Sequence, residues 1–275
     1  MIGQFLLTFR EVLEASLITS IILAYLVRTN RRPLTKYVWL GLSAATIASV
    51  IIGIFIWLVY GVLAKSIQVL FEGLAAIFAV GVLSSMIFWL AVKGKLIKGE
   101  VESRVEAYAT KGARLALGAF SFVVVFREGL ETVLFLTPFI TSDLQGTVIG
   151  AALGALASIA LSYAIFIVGM RIDLRRFFYF TSVLLVLLAG GLAGYGVHEL
   201  IEYAQLAKVD LSWFGGYAYK LDIPSDSPLH HKGFIGSILA VMFGYTVSAE
   251  WGRLLVHFAY LAVALPFVVR AYRET

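Results

Sequence analysis

The chain has 275 residues, is 60% apolar and only 14% charged, and contains no cysteine. A soluble domain carries about 25% charged residues, so this composition excludes an ordinary soluble enzyme. The missing cysteine removes disulfides, thiolate metal sites and cysteine nucleophiles together. Several apolar runs exceed eighteen residues, which is the signature of a polytopic membrane protein.

The spans are expected at about 4–27, 38–63, 69–92, 114–137, 146–169, 178–202 and 252–270. Met1 runs straight into Ile2, with no basic region and no small-residue cleavage site, so the first stretch is expected to be retained as a span. Basic residues are distributed unevenly between the two sides. Arg28, Arg31, Arg32 and Lys36 lie in the first loop, Lys93, Lys95, Lys98, Arg104, Lys111 and Arg114 in the third, Arg171, Arg175 and Arg176 in the fifth, and Arg270 and Arg273 in the tail. The other side holds Lys65, Lys208, Lys220, Lys232 and Arg253. The positive-inside rule then places the N-terminus outside and the C-terminus in the cytoplasm, across seven spans.

Two phrases break the apolar pattern. Arg10-Glu11-Val12-Leu13-Glu14 lies in the first span and Arg127-Glu128-Gly129-Leu130-Glu131 in the fourth. Each central charge costs roughly 2.5–3.5 kcal/mol to insert, so six unpaired charges would cost about 15–20 kcal/mol. Positions i, i+3 and i+4 share a helix face. Glu11 and Glu14 therefore point together within reach of Arg10, and Glu128 and Glu131 do the same with Arg127. Two arginines leave four carboxylates with a surplus of negative charge, which calls for a cation or protons. Carboxylate oxygens are hard ligands and suit magnesium, calcium, manganese or iron. The alternative is that each arginine neutralises its glutamate for structural reasons alone.

The two phrases open two three-span units, about 1–92 and 114–202. Three spans repeated in sequence must lie upside down relative to each other, which predicts an all-α fold of two inverted repeats plus a final helix at 252–270. Both phrases fall about six residues from the outer ends of their spans, and so at one depth. The stretch 93–113 is expected to be a cytoplasmic helix or hairpin. The glycines of the fifth and sixth spans (Gly146, Gly150 and Gly154; Gly190 and Gly194) fit close helix contact in lipid. The outer loop, 203–251, opens with the aromatic run Trp213 to Tyr217 and ends with an apolar stretch, 233–249, expected to be a half-span or interfacial helix rather than an eighth span.

A second acidic set marks the outer mouth. Glu72 opens the third span, and His198, Glu199 and Glu202 close the sixth, with His198 and Glu202 spaced to face one ion. Together they form a candidate site where an ion enters from outside. Asp143, Asp210, Asp222, Asp226, His230, His231 and Glu250 fall in outer loops, where ordinary solvation explains them.

At the two charged phrases the chain resembles the high-affinity iron permeases, the oxidase-linked Ftr/EfeU-type transporters, which carry an R-E-G-L-E motif in the first and fourth spans. The fourth-span copy matches fully, and the first departs only at Val12. The resemblance implies iron transport across the cytoplasmic membrane without enzymatic chemistry or a resident cofactor. It implies Glu11, Glu14, Glu128 and Glu131 as the functional carboxylates, and a separate ferroxidase or periplasmic iron-delivery protein as partner. Two rivals stand beside it. One is a transporter or proton-coupled exchanger of another hard cation. The other is a membrane-embedded carboxylate metalloenzyme, which would want a histidine three residues after a glutamate that neither phrase has.

Overall fold

The computed structural model describes residues 1–93, 97–110, 114–166, 174–224, 227–230 and 234–274. Lys95, Lys111, Arg171, Asp226, His231 and Lys232, named above, lie outside the described residues. The chain runs through α1 (Ile2–Arg28), α2 (Thr35–Gly61), α3 (Lys65–Lys93), α4 (Ile97–Thr110), α5 (Arg114–Ser142), α6 (Leu144–Phe166), α7 (Leu174–Leu206), β1 (Tyr217–Lys220), α8 (Phe234–Phe243), β2 (Ser248–Glu250) and α9 (Trp251–Glu274).

Among the described residues, five stretches are long and apolar enough to cross a membrane: Arg32–Gly61, Lys65–Trp89, Leu144–Ile165, Arg176–Leu206 and Trp251–Arg273. The helices α1 and α5 are comparably long, at 27 and 29 residues, but each carries the three charges of its motif. Composition alone therefore passes over the two helices that hold the chemistry. The mostly helical, multi-span architecture expected from the sequence is present. Most helices extend a few residues beyond the expected spans, because apolar periodicity fades before helical hydrogen bonding does. The linker forms one helix, α4. The apolar stretch in the outer loop yields only the ten residues of α8, half the length needed to span a bilayer.

One departure from the all-α expectation is a small ribbon. β1 pairs antiparallel with β2, Tyr217 opposite Glu250 and Lys220 opposite Ser248. It ties the aromatic run of the outer loop to the start of α9, and the Trp251 N–H donates to the Gly216 carbonyl at 3.0 Å.

The helices pack as pairs: α2 along α5, α1 along α6, α3 along α7, and α7 against α9, with α1 crossing α5. Two apolar cores result. The larger joins Leu7 of α1, Ala76, Ala79 and Leu83 of α3, Phe135 of α5, Leu188 and Leu192 of α7 and Ala264 of α9. The smaller seats α4 through Val101 and Val105 on Ile22 and Leu26 of α1 and Leu117 of α5. Large apolar side chains such as Leu40, Phe55, Leu156 and Val263 stay exposed, as lipid-facing residues do.

Glycine sets the closest approaches. A Cβ at Gly41 of α2 would strike the Gly118 carbonyl oxygen and lie 2.9 Å from the Phe122 nitrogen of α5. One at Gly150 of α6 would lie 2.7 Å from the Met1 carbonyl oxygen and 3.4 Å from the Phe5 nitrogen of α1. Both obstacles are backbone, so they cannot turn aside. Gly190 and Gly194 of α7 face mainly side-chain atoms of Leu261, His257 and Arg253 of α9. Overpacking of this kind costs about 1–3 kcal/mol. Gly41→Ala should therefore lower the thermal unfolding temperature of the detergent-purified protein by several degrees. Gly81→Ala, with nothing within 4 Å of its Cβ, should leave it unchanged. Equal effects at both positions would contradict this packing.

Candidate metal centre

Where α1 crosses α5, the i, i+4 spacing places each arginine over its own glutamate. Arg10 is 2% exposed. Its Nη1 donates to Glu11 Oε1 at 2.8 Å, and its Nη2 lies 2.7 Å from Glu14 Oε1. The Met86 sulfur of α3 accepts a further contact from Nη1 at 3.1 Å. On α5, Arg127 Nε donates to Glu131 Oε1 at 2.8 Å. The two copies differ in setting: the Arg127 side chain is 55% exposed.

Carboxylate oxygens of Glu11, Glu128 and Glu131 all lie within 4.8 Å of one another. In each of the three, Oε2 is buried with no hydrogen-bond partner. Unmade bonds to buried carboxyl oxygens are costly, and the three glutamates stand close enough to share one cation. The fourth glutamate, Glu14, is held beside Arg10 and stands outside this triad. Carboxylates at this spacing supply only oxygen, the donor preferred by hard cations.

Leu7 and Phe135, both fully buried in the larger apolar core, lie one helical turn from Glu11 and Glu131 on their own helices. Glu11 and Glu128 reach the floor of a cavity of about 1040 Å³ between α2 and α6. Its α1 wall includes Glu11, Val12, Ala15, Ser16, Thr19 and Leu23, and its α5 wall includes Glu128, Gly129, Thr132, Val133, Leu136 and Ile140. Counted from the motif arginines, these are the same positions. Gly129 belongs here for a steric reason, since a Cβ at that position would collide with Ser49 of α2. Val12 takes the corresponding place on α1 and lines the cavity.

The outer set resolves into two connected groups. His198, Glu199 and Glu202 bring potential ligand atoms within 4.8 Å of one another. Glu72 is buried and accepts hydrogen bonds from two tyrosines, Tyr60 at Oε1 and Tyr195 at Oε2. Sequence reasoning missed both tyrosines. Tyr195 shares the spacing i, i+3, i+4, i+7 with His198, Glu199 and Glu202, so its place on that face was readable, whereas Tyr60 reaches Glu72 from α2 and gave no local signal. Glu250, expected to be solvated, is instead buried and accepts from His198 Nδ1 at 3.0 Å. Burial alone would raise its carboxyl, but the His198 hydrogen bond and charge, with Arg253 nearby, hold it below the usual carboxylate range.

Other loop groups have plain structural roles. Asp143 Oδ1 caps α6 by accepting from the Gly146 N–H at 2.9 Å, and Asp210 accepts from the Ser212 N–H at 2.7 Å. Asp222 is exposed and His230 is buried.

The two arginines should differ in energetic weight. Arg10→Ala leaves Glu11 and Glu14 buried without their cation and should cost about 3–5 kcal/mol. Arg127→Ala, at a half-exposed pair, should cost at most about 1 kcal/mol. Adding Glu11→Gln to Arg10→Ala should restore part of the loss. Thermal unfolding of the purified variants checks this, and equal losses for the two arginines would contradict it.

Comparison with known proteins agrees along the whole chain. A family model described as the iron permease FTR1 family matches residues 1–271. An uncharacterised protein of Archaeoglobus fulgidus is 47% identical over 272 residues, covering 99% of this chain and 96% of the relative. The ferrous iron permease EfeU of Yersinia pestis is 35% identical over 270 residues, covering 96% and 92%. That of Escherichia coli O6:H1 is 31% identical over 268 residues, covering 96% and 94%. No solved structure matches the chain.

Proposed function

The chain belongs to the iron permease FTR1 family, and from that premise we propose that it carries iron across the cytoplasmic membrane through the Glu11, Glu128 and Glu131 triad. The family are permeases, not enzymes, and the chain is a multi-pass membrane protein. The observation that carries the site is three glutamates with carboxylate oxygens within 4.8 Å of one another where the two motif helices cross, each also holding a buried oxygen without a hydrogen-bond partner. Glu14 and Arg10 act as the adjoining pair: Arg10 holds the carboxylates while the ion is absent and yields to the ion's charge when it arrives. Iron relatives give the other-cation reading no support, and the metalloenzyme reading lacks its histidine.

The architecture we propose is seven spans, α1, α2, α3, α5, α6, α7 and α9, in two inverted repeats followed by one helix. Internal correspondence supports it. Gly41 of α2 meets the residues nine and five positions before Arg127, and Gly150 of α6 meets those nine and five positions before Arg10. The cavity walls repeat this pairing. Trp39, Leu42, Thr46, Val50, Gly53 and Ile54 of α2 keep one constant register with Val148, Ala151, Ala155, Ile159, Ser162 and Tyr163 of α6. A two-fold axis in the membrane plane passing through the α1–α5 crossing produces both patterns, and in such transporters the site lies at the repeat interface.

Glu72, His198, Glu199 and Glu202 are then the place where iron enters, on the outer side of Leu7 and Phe135. These two side chains close the path from the outside, and the exposed Arg127 lies on the cytoplasmic side of the triad. Release follows a rocking of one repeat against the other. A separate ferroxidase or periplasmic iron-delivery protein supplies the ion.

Two measurements test this reading. Radio-iron uptake by cells carrying Glu11→Gln or Glu131→Gln should fall at least tenfold, and unchanged uptake at normal expression would sink the triad. The cysteine-free chain also suits single-cysteine labelling. With an impermeant maleimide, Val209→Cys should react on intact cells and Asn30→Cys only after permeabilisation. The reverse pattern would overturn the proposed orientation.

A further inference from the structure

A separate cavity of about 290 Å³ lies at the outer end of α5, α7 and α9. Its polar lining is Tyr195, His198 and Glu199 on the α7 wall, with Thr246 from the segment before β2 and Arg253 from the first turn of α9. The α7 wall is a metal-ligating face. His198 Nδ1 is hydrogen-bonded to Glu250, which orients the ring and leaves Nε2 outside that contact. A histidine oriented by a buried carboxylate is the usual preparation of a metal ligand. The Arg253 side of the cavity has the opposite character. Arg253 is 9% exposed and, with the Glu250 charge nearby, makes no hydrogen bond or ion pair at contact distance among the described residues. A buried guanidinium without a partner is costly, and its planar fork matches a carboxylate-type anion.

One cavity thus offers metal-ligating groups on one wall and a buried guanidinium with free donors on another. We infer that it is a ferric-ion station in which Tyr195, His198 and Glu199 hold the metal and Arg253 seats a small carbonate- or carboxylate-type oxyanion that completes the metal's coordination. The inference rests on the iron-permease reading but not on the central triad. Phenolate and carboxylate oxygens favour the harder, trivalent ion. The proton balance is local. Tyr195 O–H already donates to Glu72 Oε2 at 2.5 Å. As the Tyr195 oxygen binds the metal, its proton passes to the Glu72 carboxylate, which keeps its hydrogen bond from Tyr60.

The test uses the full-length protein purified in detergent in carbonate-free buffer, with ferric ion formed in place by air oxidation of ferrous chloride. Bound ferric ion should show a visible tyrosinate-to-iron charge-transfer band. Bicarbonate or, in a parallel titration, acetate should raise ferric affinity at least tenfold, and acetate matching bicarbonate would place the seat in the carboxylate class. Tyr195→Phe should abolish the band. Arg253→Gln should remove the anion dependence, and Arg253→Lys should retain part of it, with thermal unfolding confirming that each variant is folded. Glu131→Gln should keep the band while losing uptake, which separates this site from the central one. Absence of the band in the native protein, its survival in Tyr195→Phe, or indifference to both anions would overturn the inference.

Discussion

The structure depends on one electrostatic constraint: two arginines and four glutamates must be held inside apolar helices. Arg10 answers it on α1 by lying between Glu11 and Glu14, beneath the sulfur of Met86, with almost no exposure. Arg127 answers it on α5 through Glu131 alone. What these pairs leave over is negative charge at the crossing of the two helices, and the triad oxygens without partners are its local form. Charge that the protein itself does not neutralise is charge available to an ion.

The rest of the fold brings those helices together and keeps them so. α1 and α5 can cross only if their flanking helices approach closely, and Gly41, Gly129, Gly150 and Gly154 remove the side chains that would prevent it. Leu7 and Phe135, one turn from Glu11 and Glu131, anchor the same two helices in the larger apolar core. The pairing of a buried carboxylate recurs at the outer end in a weaker form. There, Glu72 is held by two neutral tyrosines rather than by an arginine, a setting that a metal ion can displace at lower cost.

Much of this was legible in the sequence because it follows from spacing. Apolar runs located the long helices, and the i, i+4 rule paired Arg10 with Glu14 and Arg127 with Glu131. It also grouped His198 with Glu202. Contacts that depend on how helices cross were not legible. No local pattern says that Glu14 rather than Glu128 stands outside the triad, that Arg10 is covered by α3 while Arg127 is left half exposed, or that Tyr60 of α2 reaches Glu72 of α3. Glu250 read as an ordinary loop acid because only the β1–β2 ribbon carries it under His198. A three-residue strand has too few positions to show alternation.

The central claim is that iron binds among Glu11, Glu128 and Glu131. The most direct test is an anomalous-scattering structure of the protein soaked with ferrous iron under anaerobic conditions. The account predicts an iron peak coordinated by oxygens of all three glutamates, with Arg10 displaced from Glu11. An iron peak elsewhere in the protein, with the triad oxygens uncoordinated and Arg10 still bonded to Glu11, would contradict it.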